Sequence, residues 1–249
     1  MIEHSVVYGD ERIRFTVRTQ ARRVPHRIAI HVEPDGCVRV DAPPGASIEQ
    51  VKAAVMKRAR WVSGHVEAAR LRRAQVVPRE YVSGESLLYL GRRYCLKVRS
   101  GRDGEQGAFM HGPFIEVHAA SRDPETVRGV LEAWYRASAR TVLGERLAAL
   151  AAPMQWVRQL PPIRLQTMSR QWGSCSPSGR ITLNPALVKA PRECVDYVLM
   201  HELVHLRHHD HSKRFYQALG RAMPNWQCAK SRLDDLADQL LDRPVQGRP

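Results

Sequence analysis

Residues 200–206 constrain this chain more than any other segment, because they place two histidines and a glutamate in an apolar stretch. The segment reads Met-His-Glu-Leu-Val-His-Leu, and the apolar run before it begins at Val195. Residues i and i+4 lie on the same face of a helix, so His201 and His205 can bind one ion together. Glu202 lies one position further round and can reach a water molecule on that ion. Because unpaired buried polar groups are costly, the segment predicts a metal-binding helix.

A third ligand is expected beyond the end of this helix. A catalytic zinc takes three protein ligands and leaves one coordination position open for water. His211 follows His205 after a short segment and is the predicted third ligand, while His208 and His209 are alternatives. With Glu202 as general base, the pattern predicts a zinc hydrolase.

The composition limits the class of protein. The chain has 249 residues, 43% of them hydrophobic, which allows one large core or two modest ones. We expect no membrane span and no signal peptide. Five cysteines without a Cys-x-x-Cys pair predict a reducing compartment, the cytoplasm. The net charge of +14 is compatible with nucleotides or nucleic acid as partners, and nothing in the sequence indicates an oligomeric state.

Residues 1–122 are predicted to form a β-rich N-terminal domain. Polar and apolar residues alternate, as in antiparallel strands with one buried face, in residues 12–18, 27–32 and 37–40. Pro34-Asp35-Gly36 has the chemistry of a hairpin turn between the last two of these segments. More short strands separated by glycine turns are expected up to residue 118.

One helix is expected within this domain. Ser47 and Gln50 have the spacing of a capping box, and apolar residues follow at helical intervals. Its outer face carries Lys52, Lys57, Arg58, Arg60, Arg70, Arg72 and Arg73. We expect this basic face to suit an acidic partner. The domain is expected to recognise substrate, to regulate the active site or only to stabilise the fold.

Residues 123–242 are predicted to form the catalytic domain, followed by a tail at 243–249. Asp123 can cap a helix that has Pro124 at its first position and continues to about Ala151. A pair of strands is expected at 163–168 and 180–184. The metal-binding helix then begins near Pro191.

Many residues match a known family. They include Trp172-Gly173-Ser174-Cys175-Ser176, Gly179, Leu183-Asn184, Pro191, Asp196-Tyr197-Val198, the motif from His201 to His205, His211-Ser212 and Phe215. Shorter matches lie at 40–45, 83–91 and 134–136. On these residues the chain resembles the YgjP-like metallopeptidases, which are related to the SprT-like and other minimal zincins.

The resemblance implies a fold and an activity. The implied fold is α+β, with the antiparallel β-rich part followed by a minimal zincin-like domain of helices packed on a small mixed sheet. The implied activity is zinc-dependent hydrolysis of peptides or proteins, with His201, His205 and His211 as ligands and Glu202 as base.

Further residues are candidates for contact with the substrate or the transition state. They are Arg170, Trp172, Gly173, Ser174, His208, His209 and Tyr216. Cys175 is expected to be a structural cysteine, although its thiolate could also reach the zinc. Two other functions stay open: a metal-dependent hydrolase of nucleotides or other phosphoanhydrides, and a protease recruited to nucleic acid through its basic surface.

Overall fold

The computed structural model of the protein describes residues 3–19, 28–33, 36–74, 79–100, 106–169 and 171–241. This part of the chain is mixed α/β, with three small mixed sheets and six α-helices. The chain divides into two compact units, Met1–Val77 and Pro78–Pro249. Among the described helices, none combines the length and apolar character that a membrane crossing requires.

The boundary between these units lies before the domain boundary predicted at residue 123. Strands that precede this position belong to the second unit, because Val127 and Leu131 of the next helix share one buried cluster with Leu87 and Ile115. Packing between distant residues causes no change in amino-acid composition along the chain, so the sequence contains no sign of this boundary. A division by function at residue 123 stays a prediction, as does the role of the N-terminal part.

The first unit contains one four-stranded sheet and two helices. Its elements are β1 (Glu3–Tyr8), β2 (Glu11–Thr19), β3 (Ala29–Val32), β4 (Val38–Ala42), α1 (Ile48–Lys57) and α2 (Ala59–Ala74). Buried apolar residues of the strands pack against α1 and α2, with Phe15, Val40, Val55 and Val62 almost fully buried.

The sheet of the first unit is mixed, which corrects the antiparallel arrangement predicted for these strands. The strand order is β1-β2-β4-β3, and the two hairpins are antiparallel. At the centre, however, β2 pairs with β4 in parallel. Alternation of polar and apolar residues reports which face of a strand is buried, but not which strand becomes its neighbour. Pro34 and Asp35 of the predicted hairpin turn lie outside the described residues.

The capping box predicted at the start of the helix is confirmed. The Ser47 hydroxyl accepts a hydrogen bond from the Gln50 amide, and the Gln50 side chain accepts one from the Ser47 amide. The expected single helix is divided in two, since α1 ends at Lys57 and α2 begins at Ala59.

The second unit begins with a sheet of the same topology. Its strands are β5 (Ser86–Tyr89), β6 (Arg92–Ser100), β7 (Gly107–His111) and β8 (Phe114–Ala119), in the order β5-β6-β8-β7. Again a central parallel pair, β6 with β8, lies between two antiparallel pairs. Both sheets are therefore two hairpins joined side by side.

Helix α3 (Pro124–Ala151) connects two cores of the second unit. Asp123 caps it by accepting a hydrogen bond from the Thr126 amide, as the sequence predicts. Its buried residues recur at every fourth position from Val127 to Ala151. The first two pack with the β5–β8 sheet, and those from Tyr135 onward belong to the core of the remaining elements.

The remaining elements surround this second core. They are β9 (Ile163–Leu165), β10 (Gly173–Cys175), β11 (Ile181–Leu183), a 3-10 helix (Pro185–Lys189), α4 (Arg192–His205), α5 (Lys213–Ala222) and α6 (Trp226–Leu240). The three strands are ordered β10-β11-β9, with β10 antiparallel and β9 parallel to β11. The predicted tail at 243–249 lies outside the described residues.

Candidate metal centre

Helix α4 carries the His-Glu-x-x-His segment in its last turns. Most of its residues are buried, so its apolar sequence is explained by packing on several sides. Arg146 of α3 holds α4 in place through two hydrogen bonds to the Asp196 carboxylate, 2.9 Å and 2.7 Å long. A bidentate pair of this kind restricts both the position and the rotation of the helix.

Three histidine side chains converge at the end of α4. Nε2 of His201 lies 3.1 Å from Nε2 of His205 and 3.0 Å from Nε2 of His211. The chain reaches His211 after the helix has ended, and the turn brings this ring back over the other two. Among the described residues these three form a group that could hold a metal ion.

The hydrogen bond of His205 leaves one ring nitrogen available. Nδ1 of His205 lies 3.0 Å from the backbone carbonyl oxygen of His208, which can only accept. With the proton assigned to Nδ1, the lone pair of Nε2 points toward the cluster, as a metal ligand requires. The buried Nδ1 of His201 has no hydrogen-bond partner among the described residues.

One phenylalanine ring packs against all three histidine rings. The fully buried ring of Phe215, on α5, lies 4.8 Å from the rings of His201 and His211 and 4.5 Å from that of His205. Burial and the neighbouring histidines lower the pKa of His201 to about 3. Burial also lowers the pKa of both His205 and His211. The cluster is therefore neutral near pH 7, and neutral imidazole is the form that binds metals.

The Glu202 side chain is enclosed between α4 and strand β10. Its exposure is 4%, and its Oε2 atom has no hydrogen-bond partner among the described residues. Burial raises the pKa of this carboxyl to about 8. A Cβ atom at Gly173 would lie 2.7 Å from Oε1 of Glu202, so only glycine allows the strand to come this close. A buried, orphaned carboxyl oxygen on the residue next to His201 is consistent with a cation bound at the histidine cluster.

Comparison with protein families gives this cluster its context. The YgjP-like family, described as a metallopeptidase domain, matches residues 26–236. The chain belongs to the YgjP-like metallopeptidase family. Members of a metallopeptidase family hydrolyse peptide bonds with the help of a divalent metal ion, and their substrates are peptides or proteins. The resemblance seen in the sequence is thereby confirmed.

Comparison with individual proteins gives no curated match and a limited structural one. No curated protein matches the sequence significantly. One similar solved structure is the crystal structure of the metallopeptidase zymogen of Pyrococcus abyssi abylysin, with 24% sequence identity and a TM-score of 0.35. The match covers 40% of this chain and 95% of that one.

The structure places the predicted contact residues of this metallopeptidase in different surroundings. Gly173 lies against Glu202. Tyr216 lies beside the cluster, with its ring 6.1 Å from the ring of His211 and 43% exposed. His208 and His209 instead line a neighbouring cavity of about 700 Å³. Arg170 lies outside the described residues.

Trp172, Ser174 and Cys175, on and beside β10, are in surroundings that suit structural roles. Trp172 packs against the core of the second unit, and its carbonyl oxygen accepts a hydrogen bond from the Asn184 amide. Ser174 is half-buried on β10. Burial, and then the Glu202 charge, raise the pKa of Cys175 to about 11. Cys175 therefore holds a protonated thiol near pH 7, in agreement with a structural role.

An aromatic stack beside the cluster was not predicted as part of the site. Trp226 of α6 stacks with Tyr197 of α4 at 6.2 Å and with Tyr216 of α5 at 5.5 Å. Tyr197 lies one helical turn before His201, and this spacing was the signal in the sequence that could have revealed it. The position of Trp226 depends on α6 packing back onto α4, which no local pattern reports.

Proposed function

We propose that the protein is a zinc-dependent peptidase in which His201, His205 and His211 bind the metal. The supporting observation is the convergence of their Nε2 atoms at separations of 3.0 Å and 3.1 Å. Nitrogens bound to one tetrahedral zinc at about 2.0–2.1 Å are themselves about 3.3 Å apart. The ligand atoms of the three histidines all lie within 4.8 Å of one another, so metal binding would draw them together.

A bound zinc ion supplies Lewis acidity, which activates a water molecule and polarises the scissile carbonyl group. The donor set fits this role, because three imidazoles leave a fourth coordination position open. A structural zinc would instead be closed by a fourth cysteine or histidine. The hydrogen bond from His205 to a backbone carbonyl also fits, since ligand histidines are oriented in this way.

Glu202 is the general base of the proposed mechanism. It accepts the proton of the attacking water at Oε2, its unpartnered oxygen, and transfers this proton to the leaving amine. In the neutral surroundings of the enclosed pocket, the pKa of this carboxyl is raised to about 8. A cation beside it favours the ionised form and so lowers this pKa toward the range in which a carboxylate serves as base.

Strand β10 is the proposed binding edge for the substrate. It lies at one end of the β10-β11-β9 sheet, and Gly173 on it touches Glu202. An extended peptide that pairs with this edge would place its backbone beside the base. Tyr216, the exposed member of the aromatic stack, offers an apolar surface beside His211 for a substrate side chain.

Incubation of the zinc-loaded protein with a mixed peptide pool and a mixed nucleotide pool tests this proposal. Mass spectrometry identifies the products, and the Glu202→Gln variant serves as control because it keeps the size and shape of the side chain. We expect peptide cleavage by the wild type and a loss of at least about 100-fold in the variant. We expect the zinc content of the two proteins to be equal.

Two results would contradict the proposal. Equal peptide cleavage by both proteins would remove Glu202 from the mechanism. Hydrolysis of nucleotides without any cleavage of peptides would replace the peptidase by a phosphoanhydride hydrolase. As to location, we propose a reducing compartment such as the cytoplasm, because the five cysteines include no Cys-x-x-Cys pair.

A further inference from the structure

A second groove lies in the same unit, away from the histidine cluster. Its cavity of about 770 Å³ is lined by residues of α3, of β9 and of the segments beside β9 and β11. None of the histidines, nor Glu202, takes part in its lining. The sheet order β10-β11-β9 puts β9, which lines the groove, at the opposite edge from β10, on which Gly173 lies against Glu202.

The groove is strongly basic. Arg136 and Arg140 come from successive turns of α3, Arg164 from β9, and Arg180 from the residue before β11. None of the described lining residues is acidic. Arg140, Arg164 and Arg180 are exposed, and Arg136 donates a hydrogen bond to the Leu165 carbonyl oxygen, 2.9 Å away. Guanidinium groups gathered from separate elements repel one another unless an anion lies between them.

The rest of the lining distinguishes between possible anions. Leu160, which is 52% exposed, lies with Pro161, Pro162 and Ile163 along one wall. No aromatic residue is present among the described lining residues, and nucleic-acid strands are usually held by stacking of bases on aromatic rings. Apolar walls with arginines at several points suit a peptide whose carboxylates alternate with apolar side chains.

An edge strand in the groove points to the same occupant. Among the described strands, β9 pairs with β11 alone, and its other edge faces the groove. On that edge the Leu165 carbonyl oxygen accepts a hydrogen bond from Arg136, so a peptide would pair with the remaining backbone groups of β9. Extended peptides bind such edges through their backbone groups. We propose that this groove, which we name the arginine groove, binds an acidic peptide segment, with Arg140, Arg164 and Arg180 pairing with its carboxylates.

The arginine groove gives the proposed peptidase a preference for acidic substrates. Strands in a sheet are about 4.8 Å apart, so peptides at the outer edges of β9 and β10 are separated by four such spacings, about 19 Å, which about six extended residues cover. A substrate held at β9 by its acidic segment is thereby kept near β10. This role in recruitment rests on the function proposed above, whereas the binding of the peptide does not.

Direct binding to the full-length Glu202→Gln protein tests the groove independently of hydrolysis. The probe is a fluorescein-labelled peptide in which glutamate alternates with valine, and anisotropy reports binding. We expect saturable binding that weakens as salt is added. The double variant Arg140→Gln/Arg164→Gln should weaken it by about tenfold or more, since each loses a charge-assisted hydrogen bond.

Matched variants separate the groove from net charge and from folding. Arg93→Gln/Arg122→Gln removes the same charge at exposed positions outside the groove and should leave binding within about twofold. Gly144 lines the groove on α3, and a Cβ there meets no atom within 4 Å, so Gly144→Leu adds an apolar side chain that begins in open space at the groove. It should also weaken binding by about tenfold, while Gly129→Leu on the same helix should not.

Three results would overturn the proposal. One is equal binding by the Glu202→Gln protein with and without the Arg140→Gln/Arg164→Gln substitutions. A second is equal binding of a probe in which every glutamate is replaced by glutamine. The third is tighter, groove-dependent binding of a single-stranded oligonucleotide, which would assign the groove to nucleic acid. If the zinc-loaded wild type cleaved no peptide but the groove still bound the acidic peptide, the proposed function would be refuted and the proposal for the groove would stand.

Discussion

Gly173 is the position where one added carbon atom tests the geometry of the site most directly. The Cβ of an alanine there would lie 2.7 Å from Oε1 of Glu202, 2.9 Å from its Cγ and 3.0 Å from its Cδ. Favourable contacts between such atoms begin at about 3.5 Å, so Glu202 must move by about 1 Å. A displacement of that size at a reacting group can lower the rate about 100-fold.

The expected result for Gly173→Ala is a loss of rate without a loss of metal. We expect kcat/KM on a peptide cleaved by the wild type to fall about 100-fold. The zinc content should equal that of the wild type, because no histidine is displaced. Overpacking against Glu202 should lower the free energy of unfolding by about 1–3 kcal/mol. Steady-state kinetics, metal analysis and denaturant unfolding measure these three quantities.

A second glycine provides the matched control for this substitution. Gly129 lies on the exposed surface of α3, and a Cβ there meets no atom within 4 Å. Gly129→Ala should therefore keep full activity and gain up to about 1 kcal/mol of stability from better helix propensity. If Gly173→Ala retained kcat/KM within about twofold, contact with β10 would not determine the position of Glu202, and our reasoning about the base would fail.

Further predictions concern the surroundings of the cluster. Phe215→Leu should lower stability by about 1 kcal/mol and weaken zinc binding in a competition with a chelator, because the three rings lose their common support. Unchanged zinc affinity would refute that role. Cys175 should be alkylated much more slowly than the exposed Cys228 at pH 7, because a pKa of about 11 keeps its thiol protonated. Peptide mapping after iodoacetamide treatment checks this, and the Cys175 rate should rise as the pH approaches 11. Asp196→Asn should cost about 1 kcal/mol, since its half-exposed pair with Arg146 is partly screened by solvent. An equal loss in the Arg146→Gln/Asp196→Asn double variant and in each single variant would confirm their coupling.

Local signals predicted the elements that they determine. The caps at Ser47 and Asp123 form as their sequences indicate, because a cap is a contact between residues only three positions apart. The His-Glu-x-x-His spacing predicted a helix, and His201 and His205 do meet on one face of α4. Even His211, which lies beyond the helix, joins them.

Features that depend on distant parts of the chain could not be predicted. The parallel pairing of β2 with β4 is decided by which hairpin edges meet, and no residue in either strand encodes it. The arginine groove brings together residues from α3, β9 and the start of β11, so in the sequence its arginines were indistinguishable from other basic residues. The close approach of Gly173 to Glu202 likewise needs the packing of β10 on α4.

The acceptor that orients His205 is a backbone carbonyl, and this has a consequence for how the sequence can change. Where a carboxylate plays this part, the acceptor is itself a side chain and is lost by a single substitution. Here the oxygen belongs to the main chain of residue 208, so almost any amino acid at that position can supply it. The orientation of the imidazole is thus inherited from the path of the turn after α4. Side chains of this loop can therefore change without loss of the hydrogen bond to His205, provided that the backbone conformation of the loop is kept.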